Sequence, residues 1–284
     1  MKTTKHILFL LVTLVMLAGC RDKELDMTLV QETWYRDYLI NEITADDAWS
    51  LLVVQDDGPS FVELEYSAFM EDYIRIEQQD GAFRFYLASH PRLPNNTVLH
   101  ATIHTPAIHQ LHCSDAVFVA LEGQFPETAF TMELDDAATC RGGHFYGTAE
   151  LKLDDASTCV EFYFEGTSCS VELDDASVFK GCLNVSGDLN MRVDNASRLT
   201  HYWGEVNQAE VEVSADSYLN MANVFIQRMH LTVQSGSEAT VNVVEHLEGS
   251  VRETSCLYYS GDPILNVDCD ETSTLQHVEY PNPD

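Results

Sequence analysis

The chain has 284 residues, with 15 Lys and Arg against 46 Asp and Glu, so its formal charge at pH 7 is −31. That balance excludes nucleic acid as a partner, because a phosphate backbone is held by a basic footprint. It also repels an anionic membrane surface, so membrane attachment has to come from something other than the protein's own face.

Lys2 and Lys5 precede an apolar run from Ile7 to Ala18, interrupted only by Thr13, and the run ends in Leu17, Ala18, Gly19 and Cys20. It is well short of the ~20 apolar residues that span a bilayer, and its shape is that of a cleaved leader with a lipobox. Residues 1–20 therefore read as a lipoprotein signal peptide, with Cys20 carrying the lipid and becoming the first mature residue. The implied location is the outer membrane of a bacterium, periplasmic or surface-exposed, with the lipid on Cys20 as the membrane partner. Residues 21–44 read as a tether and N-terminal segment, polar as far as about residue 33.

Residues 45–106 are strand-rich but irregular. SLLVV at 50–54, FVELEY at 61–66, YIRIE at 73–77, FRFYL at 83–87 and VLHATI at 98–103 are separated by Asp-Gly, Gly-Pro and Pro-Asn breakers. Five β segments are expected, capping a coil or forming its irregular first turns, since a long apolar edge needs covering.

From 107 to 284 the chain reads as a β-solenoid with a C-terminal cap. MELDDAAT, LKLDDAST, VELDDASV, MRVDNASR, VEVSADSY and LTVQSGSE repeat one phrase, anchored at Asp135, Asp154, Asp174, Asp194, Ser214 and Gln234, at spacings of 19 or 20. LHCSDAVF, from Leu111, fits the same phrase with Ser114 as anchor. A fixed period of this length is the signature of a solenoid, and alternation within the phrase is that of a strand. When copies stack, Met132, Leu151, Val171, Met191, Val211 and Leu231 form one apolar column, and Leu134, Leu153, Leu173, Val193, Val213 and Val233 a second. Cys140, Cys159, Phe179, Leu199, Leu219 and Ala239 form a third, which closes an apolar lumen. Between the first two, Glu133, Lys152, Glu172, Arg192, Glu212 and Thr232 alternate in sign, as suits parallel in-register strands whose opposite charges face each other outside. Small residues from Ala137 to Gly236 mark a corner, with a hydroxyl column from Ser157 to Ser237 beside it. The fold class is all-β, and 20 residues per turn leave no room for a helix.

These features resemble the putative auto-transporter adhesin family with a head GIN domain, found in lipoproteins of Bacteroidetes. The residues that carry the resemblance are Thr105 and Pro106, the copies of LDDAS, and a tyrosine-rich end at Tyr258, Tyr259, Ser260, Gly261, Asp262 and Pro263, over roughly residues 45–270. Where that family's repeat has glycine, this chain has Asp136, Asp155, Asp175 and Asn195. The resemblance implies a right-handed parallel β-helix and an adhesin-like role, and it brings no catalytic residues with it.

Several residue groups invite chemistry. Asp135, Asp154, Asp174 and Asp194 stack into a carboxylate column that could hold a hard cation such as calcium. Asp and Asn are, however, favoured at corners because their side chains accept from backbone N–H groups, and that reading is preferred. His100, His104, His109 and His112 with Cys113 could suit zinc or copper, if a turn brought them together. Cys140 and Cys159, in one column on adjacent turns, are close enough for a disulfide, against the reading as small core residues. No GxSxG, HExxH or phosphate-binding glycine loop is present, and no cofactor is expected. A β-helical polysaccharide lyase or hydrolase is the alternative function, but turns of 19–20 residues leave no excursions to wall a cleft. The expected role is an envelope adhesin or interaction scaffold, with a protein or glycan partner. Tyr163, Tyr202 and Trp203, in the variable half of successive turns, are its candidate anchors.

Overall fold

The eight-residue phrase builds a tight corner. In LKLDDAST the strand ends at Leu153, and Asp155 and Ala156 follow with φ of 45° and 62°, both left-handed. The N–H of Ser157 then donates to the Asp154 carbonyl at 3.1 Å. Two successive left-handed residues closed by that bond make a type I′ turn. The same pair recurs at Asp136 and Ala137, Asp175 and Ala176, and Asn195 and Ala196. Asp and Asn are the non-glycine residues that best tolerate this region, which suits them to the first of the two turn positions. Ala137, Ala156 and Ala176 donate to the carbonyls of Asp155, Asp175 and Asn195 in the next turn, at 2.8–2.9 Å. The ladder thus continues through the corners and leaves their backbone satisfied.

The computed structural model describes residues 25–279, in which 19 strands join one hydrogen-bonded sheet wound as a parallel β-solenoid. The leader and Cys20 lie outside these residues. Within the tether and N-terminal segment expected over 21–44, strands already form from residue 29: β1 (Leu29–Trp34) alternates enough to pair antiparallel with β4 (Phe61–Ser67), and β2 (Glu42–Ala45) enters the coil. β2 and β3 (Ser50–Gln55) form two sides of a coil turn whose corner is Asp47 and Ala48, at φ of 67° and 56°. Its phrase, ITADDAWS, is a further copy of the repeat, 68 residues ahead of the copy at Ser114.

The chain then leaves the coil and returns. β5 (Ile74–Gln79) and β6 (Ala82–Leu87) pair as a hairpin, and β7 (Leu99–Thr105) pairs antiparallel with β4. β6 and β7 also stack in parallel on β2 and β3. On the other side β2 and β3 stack on β8 (Gln110–Cys113) and β9 (Phe118–Leu134). The first coil turn is therefore sandwiched between later ones, and β1, β4 and β5 cover the edge.

The regular turns follow as β10 (Thr139–Leu153), β11 (Thr158–Leu173), β12 (Val178–Val193), β13 (Arg198–His201) with β14 (Gly204–Val213), β15 (Tyr218–Val233) and β16 (Glu238–Val251). All three apolar columns are buried, as is the serine column. Each inward Leu or Val contributes roughly 2 kcal/mol. The serine hydroxyls serve the corner: Ser197 Oγ accepts from the N–H of Ser177, and Ser237 Oγ from that of Ser217, both at 3.1 Å. Phe125, Phe145 and Phe130 stack at 4.7 and 3.9 Å and fill the lumen opposite the corner. The outer charges stand in register, Lys152 between Glu133 and Glu172. Their close ion pairs nevertheless run along the strand, Lys152 to Glu150 at 3.3 Å and Arg192 to Asp194 at 3.0 Å, because long side chains reach a residue two positions away as readily as the neighbouring turn.

The coil ends in β17 (Cys256–Ser260), β18 (Ile264–Cys269) and β19 (Thr274–His277). Among the described residues β18 and β19 pair only with the turn before them, and Ile264 and Leu265 are exposed. The described residues end at Val278 and Glu279, just after β19, and the C-terminal cap expected from sequence extends to residue 284, beyond them.

Candidate functional site

Opposite the corner, successive turns bend around glycines. A Cβ on Gly166 would lie 2.1 Å from the Gly147 carbonyl oxygen, so only glycine lets the two turns approach there. The register shifts at Gly147/Thr148 and again at Gly166/Ser168. Beside these irregularities, one outward column runs along the coil: Tyr146 opposite Glu165, Glu165 opposite Asn184, and Glu205 opposite Phe225. The column is continuous, since Asn184 Oδ1 accepts the Glu205 N–H at 3.0 Å. It floors an open groove of about 980 Å³.

Tyr202 and Trp203 form one wall. Gly181 pairs with His201 and Val185 with Val206, so this turn carries one residue more than its neighbour over the same arc. The strand breaks, and Tyr202 and Trp203 stand out between β13 and β14. The neighbouring turn restores register by spending three steps from Val185 to Asp188 against two from Val206 to Gln208. Trp203 is 54% exposed and Tyr202 40%. The Tyr202 N–H donates to the Gly181 carbonyl at 2.8 Å, which holds the protrusion. Behind it His201 is buried, and its Nε2 accepts from the Leu183 N–H at 2.8 Å. The ring is therefore neutral with its proton on Nδ1; burial holds its pKa down to about 4.

The three aromatic residues singled out from sequence lie on this one face. Tyr202 and Trp203 line the groove, and Tyr163 flanks it with its ring 6.5 Å from that of Trp203. Sequence reading missed Tyr146 and Phe225, and it missed the polar lining from Thr167, Asn184, Asn207, Asn223 and Gln227. The signal for them is the outward column, which becomes visible only when the register is followed through the bulges.

The carboxylate column is also real, and its inner oxygens are occupied. Oδ1 of Asp135, Asp154, Asp174 and Asp194 accepts the next corner N–H at 2.8–2.9 Å. Asp194 also bonds Ser214 and Arg192. Oxygens of Asp135, Asp154 and Asp155, and of Asp154, Asp174 and Asp175, come within 4.8 Å of one another. The neighbouring Asp154 carboxylate raises the pKa of Asp155, while desolvation and then Asp174 raise that of Asp175. These acids meet as like charges around a structural corner.

The histidines do not converge. His100 faces Ser50 and Thr102, His104 stacks on Phe61 at 4.2 Å, His112 bonds Glu133 at 3.1 Å, and His109 is exposed. Cys113 points into the lumen instead, because alternation along β8 separates it from His112. Cys140 and Cys159 stand directly opposite each other, buried, as free thiols. Burial pushes the Cys159 thiol well above its usual range.

The sequence family described as putative auto-transporter adhesin, head GIN domain, matches residues 40–263. Among solved structures, a putative adhesin from Parabacteroides merdae superposes with a TM-score of 0.67 at 11% identity, covering 89% of this chain and 97% of that one. A putative adhesin from Parabacteroides distasonis gives 0.60 at 13%, covering 89% and 98%. A protein described as a putative lipid binding protein from the same species gives 0.58 at 12%, with the same coverage. At such identities the likeness is one of fold. No curated protein matches the chain.

Proposed function

The chain belongs to the family of putative auto-transporter adhesins with a head GIN domain, and from that premise we propose a lipid-anchored envelope protein that binds a partner through its side groove. Family membership and the adhesin descriptions of two fold relatives support a non-catalytic interaction role at the cell envelope. The observation that carries the finer reading is the protrusion of Tyr202 and Trp203 over a groove floored by Tyr146, Asn184 and Phe225. Exposed Trp and Tyr on a rigid wall bind at little entropic cost. Anchors spaced 18 to 20 residues apart from Asp135 to Arg252 leave no long loops to enclose a reacting bond, which speaks against the lyase or hydrolase alternative.

In this reading the lipid on Cys20 is the attachment, and the partner is a protein or glycan of the envelope or a host. Fractionation of cells expressing Cys20→Ala tests the anchor: the variant is expected in the soluble fraction. Membrane association that survives high salt would overturn it. Crosslinking on intact cells, with surface labelling, identifies the partner and the side of the membrane.

A further inference from the structure

We infer that the groove from Tyr146 to Phe225 takes an uncharged oligosaccharide lying along the coil axis. This rests on the reading of that face as the binding face and names its ligand class. The floor spans four inter-strand steps of about 4.8 Å, roughly 19 Å, which suits an extended chain of sugars better than a single ring.

The lining has the two chemistries that a pyranose ring presents. Trp203, Tyr202 and Phe225 offer flat, exposed apolar surface to a sugar's C–H face. Between and beside them, Asn184, Asn207 and Asn223 offer amides, which both donate and accept as hydroxyls require. The backbone bond from Glu205 to Asn184 Oδ1 fixes that amide's orientation before any ligand arrives.

Charge narrows the class. Glu165 and Glu205 are acidic, and among the described residues the lining contains no Lys, Arg or His. A sialylated, sulfated or phosphorylated chain would meet two carboxylates with no counter-charge, so the groove selects against it. The carboxylates themselves are good acceptors for sugar hydroxyls. A peptide has little to add here as a strand, since Tyr146, Glu165 and Asn184 sit on strands already paired on both sides. The numerous amides count against an acyl chain, which would leave them without partners.

The test applies the purified full chain to an array of neutral, sialylated and sulfated oligosaccharides, with titration calorimetry on those retained. Neutral oligosaccharides are expected to be retained and their acidic counterparts not, with tetramers bound more tightly than single sugars. Trp203→Ala and Asn223→Ala each weaken binding about tenfold or more, Trp203→Phe restores most of it, and Tyr38→Ala, on the distant N-terminal segment, leaves it unchanged. Retention of acidic glycans only, or binding indifferent to Trp203→Ala in a protein that melts like the parent, would overturn the inference. Failure of all glycans, with Trp203-dependent binding to an envelope protein or to lipid vesicles, would remove the sugar and keep the groove. Failure of all glycans with Trp203-independent envelope binding would remove both.

Discussion

The N–H of Ala156 donates to the carbonyl of Asp175 in the next turn at 2.8 Å, although Ala156 and its neighbour Asp155 are both left-handed. The corner is thus strained residue by residue and satisfied bond by bond. Ala156→Val puts a β-branched side chain at φ 62° and is expected to cost about 1–2 kcal/mol or more. Asp155→Gly removes a left-handed L residue and is expected to leave stability equal or higher. Chemical denaturation of the two variants checks the ordering, and equal effects would place the strain elsewhere.

The corner acids make a pH prediction. Like charges raise the pKa of Asp155, and desolvation with like charges that of Asp175, above the ordinary 3.8. The folded state therefore holds protons that the unfolded state has released, and this term loses stability as pH rises through that window. Asp155→Asn with Asp175→Asn is expected to raise the melting temperature at pH 7 in low salt. The gain should fade below pH 3.8 and in 1 M salt. A gain independent of pH would argue for a packing effect instead.

His201 acts in the opposite sense. Its imidazole has an ordinary pKa of 6.5 and is held near 4 by burial, so the unfolded state binds the proton first as pH falls. Stability from the neutral ring is complete above 6.5 and is lost between there and about 4, by on the order of 3 kcal/mol. His201→Gln should flatten that slope in denaturation measured across pH 4 to 7. An unchanged slope would assign the acid sensitivity to other groups.

Phe145 is stacked between Phe125 and Phe130 in the lumen. Phe145→Ala is expected to cost about 3–5 kcal/mol, read as a lowered denaturation midpoint with retained β signal. A cost below 1 kcal/mol would mean that the lumen collapses around the gap.

Much of this architecture is legible in the sequence because one phrase repeats at nearly constant spacing, so Leu153, Leu173 and Val193 announce their own column. ITADDAWS was illegible as a copy because the chain departs between Gln55 and Gln110 and returns to the other side of that turn. Leu29–Trp34 reads as polar tether because it alternates on an edge strand with one half-buried face. In the groove, Tyr202 and Trp203 are visible as bulky residues where the columns demand none. Tyr146 and Phe225 are not, because bulges at Gly147 and at Val185 shift the count on which a repeat alignment depends.

The central claim is that the face carrying Trp203 is the binding face. The direct measurement is titration of purified parent, Trp203→Ala and Tyr38→Ala onto isolated envelope and host-cell surface material, with melting curves for all three. The account predicts about tenfold or greater loss for Trp203→Ala, no loss for Tyr38→Ala, and unchanged melting for both. Equal binding by parent and Trp203→Ala, or turnover of a polysaccharide that depends on Glu165 or Glu205, would contradict it.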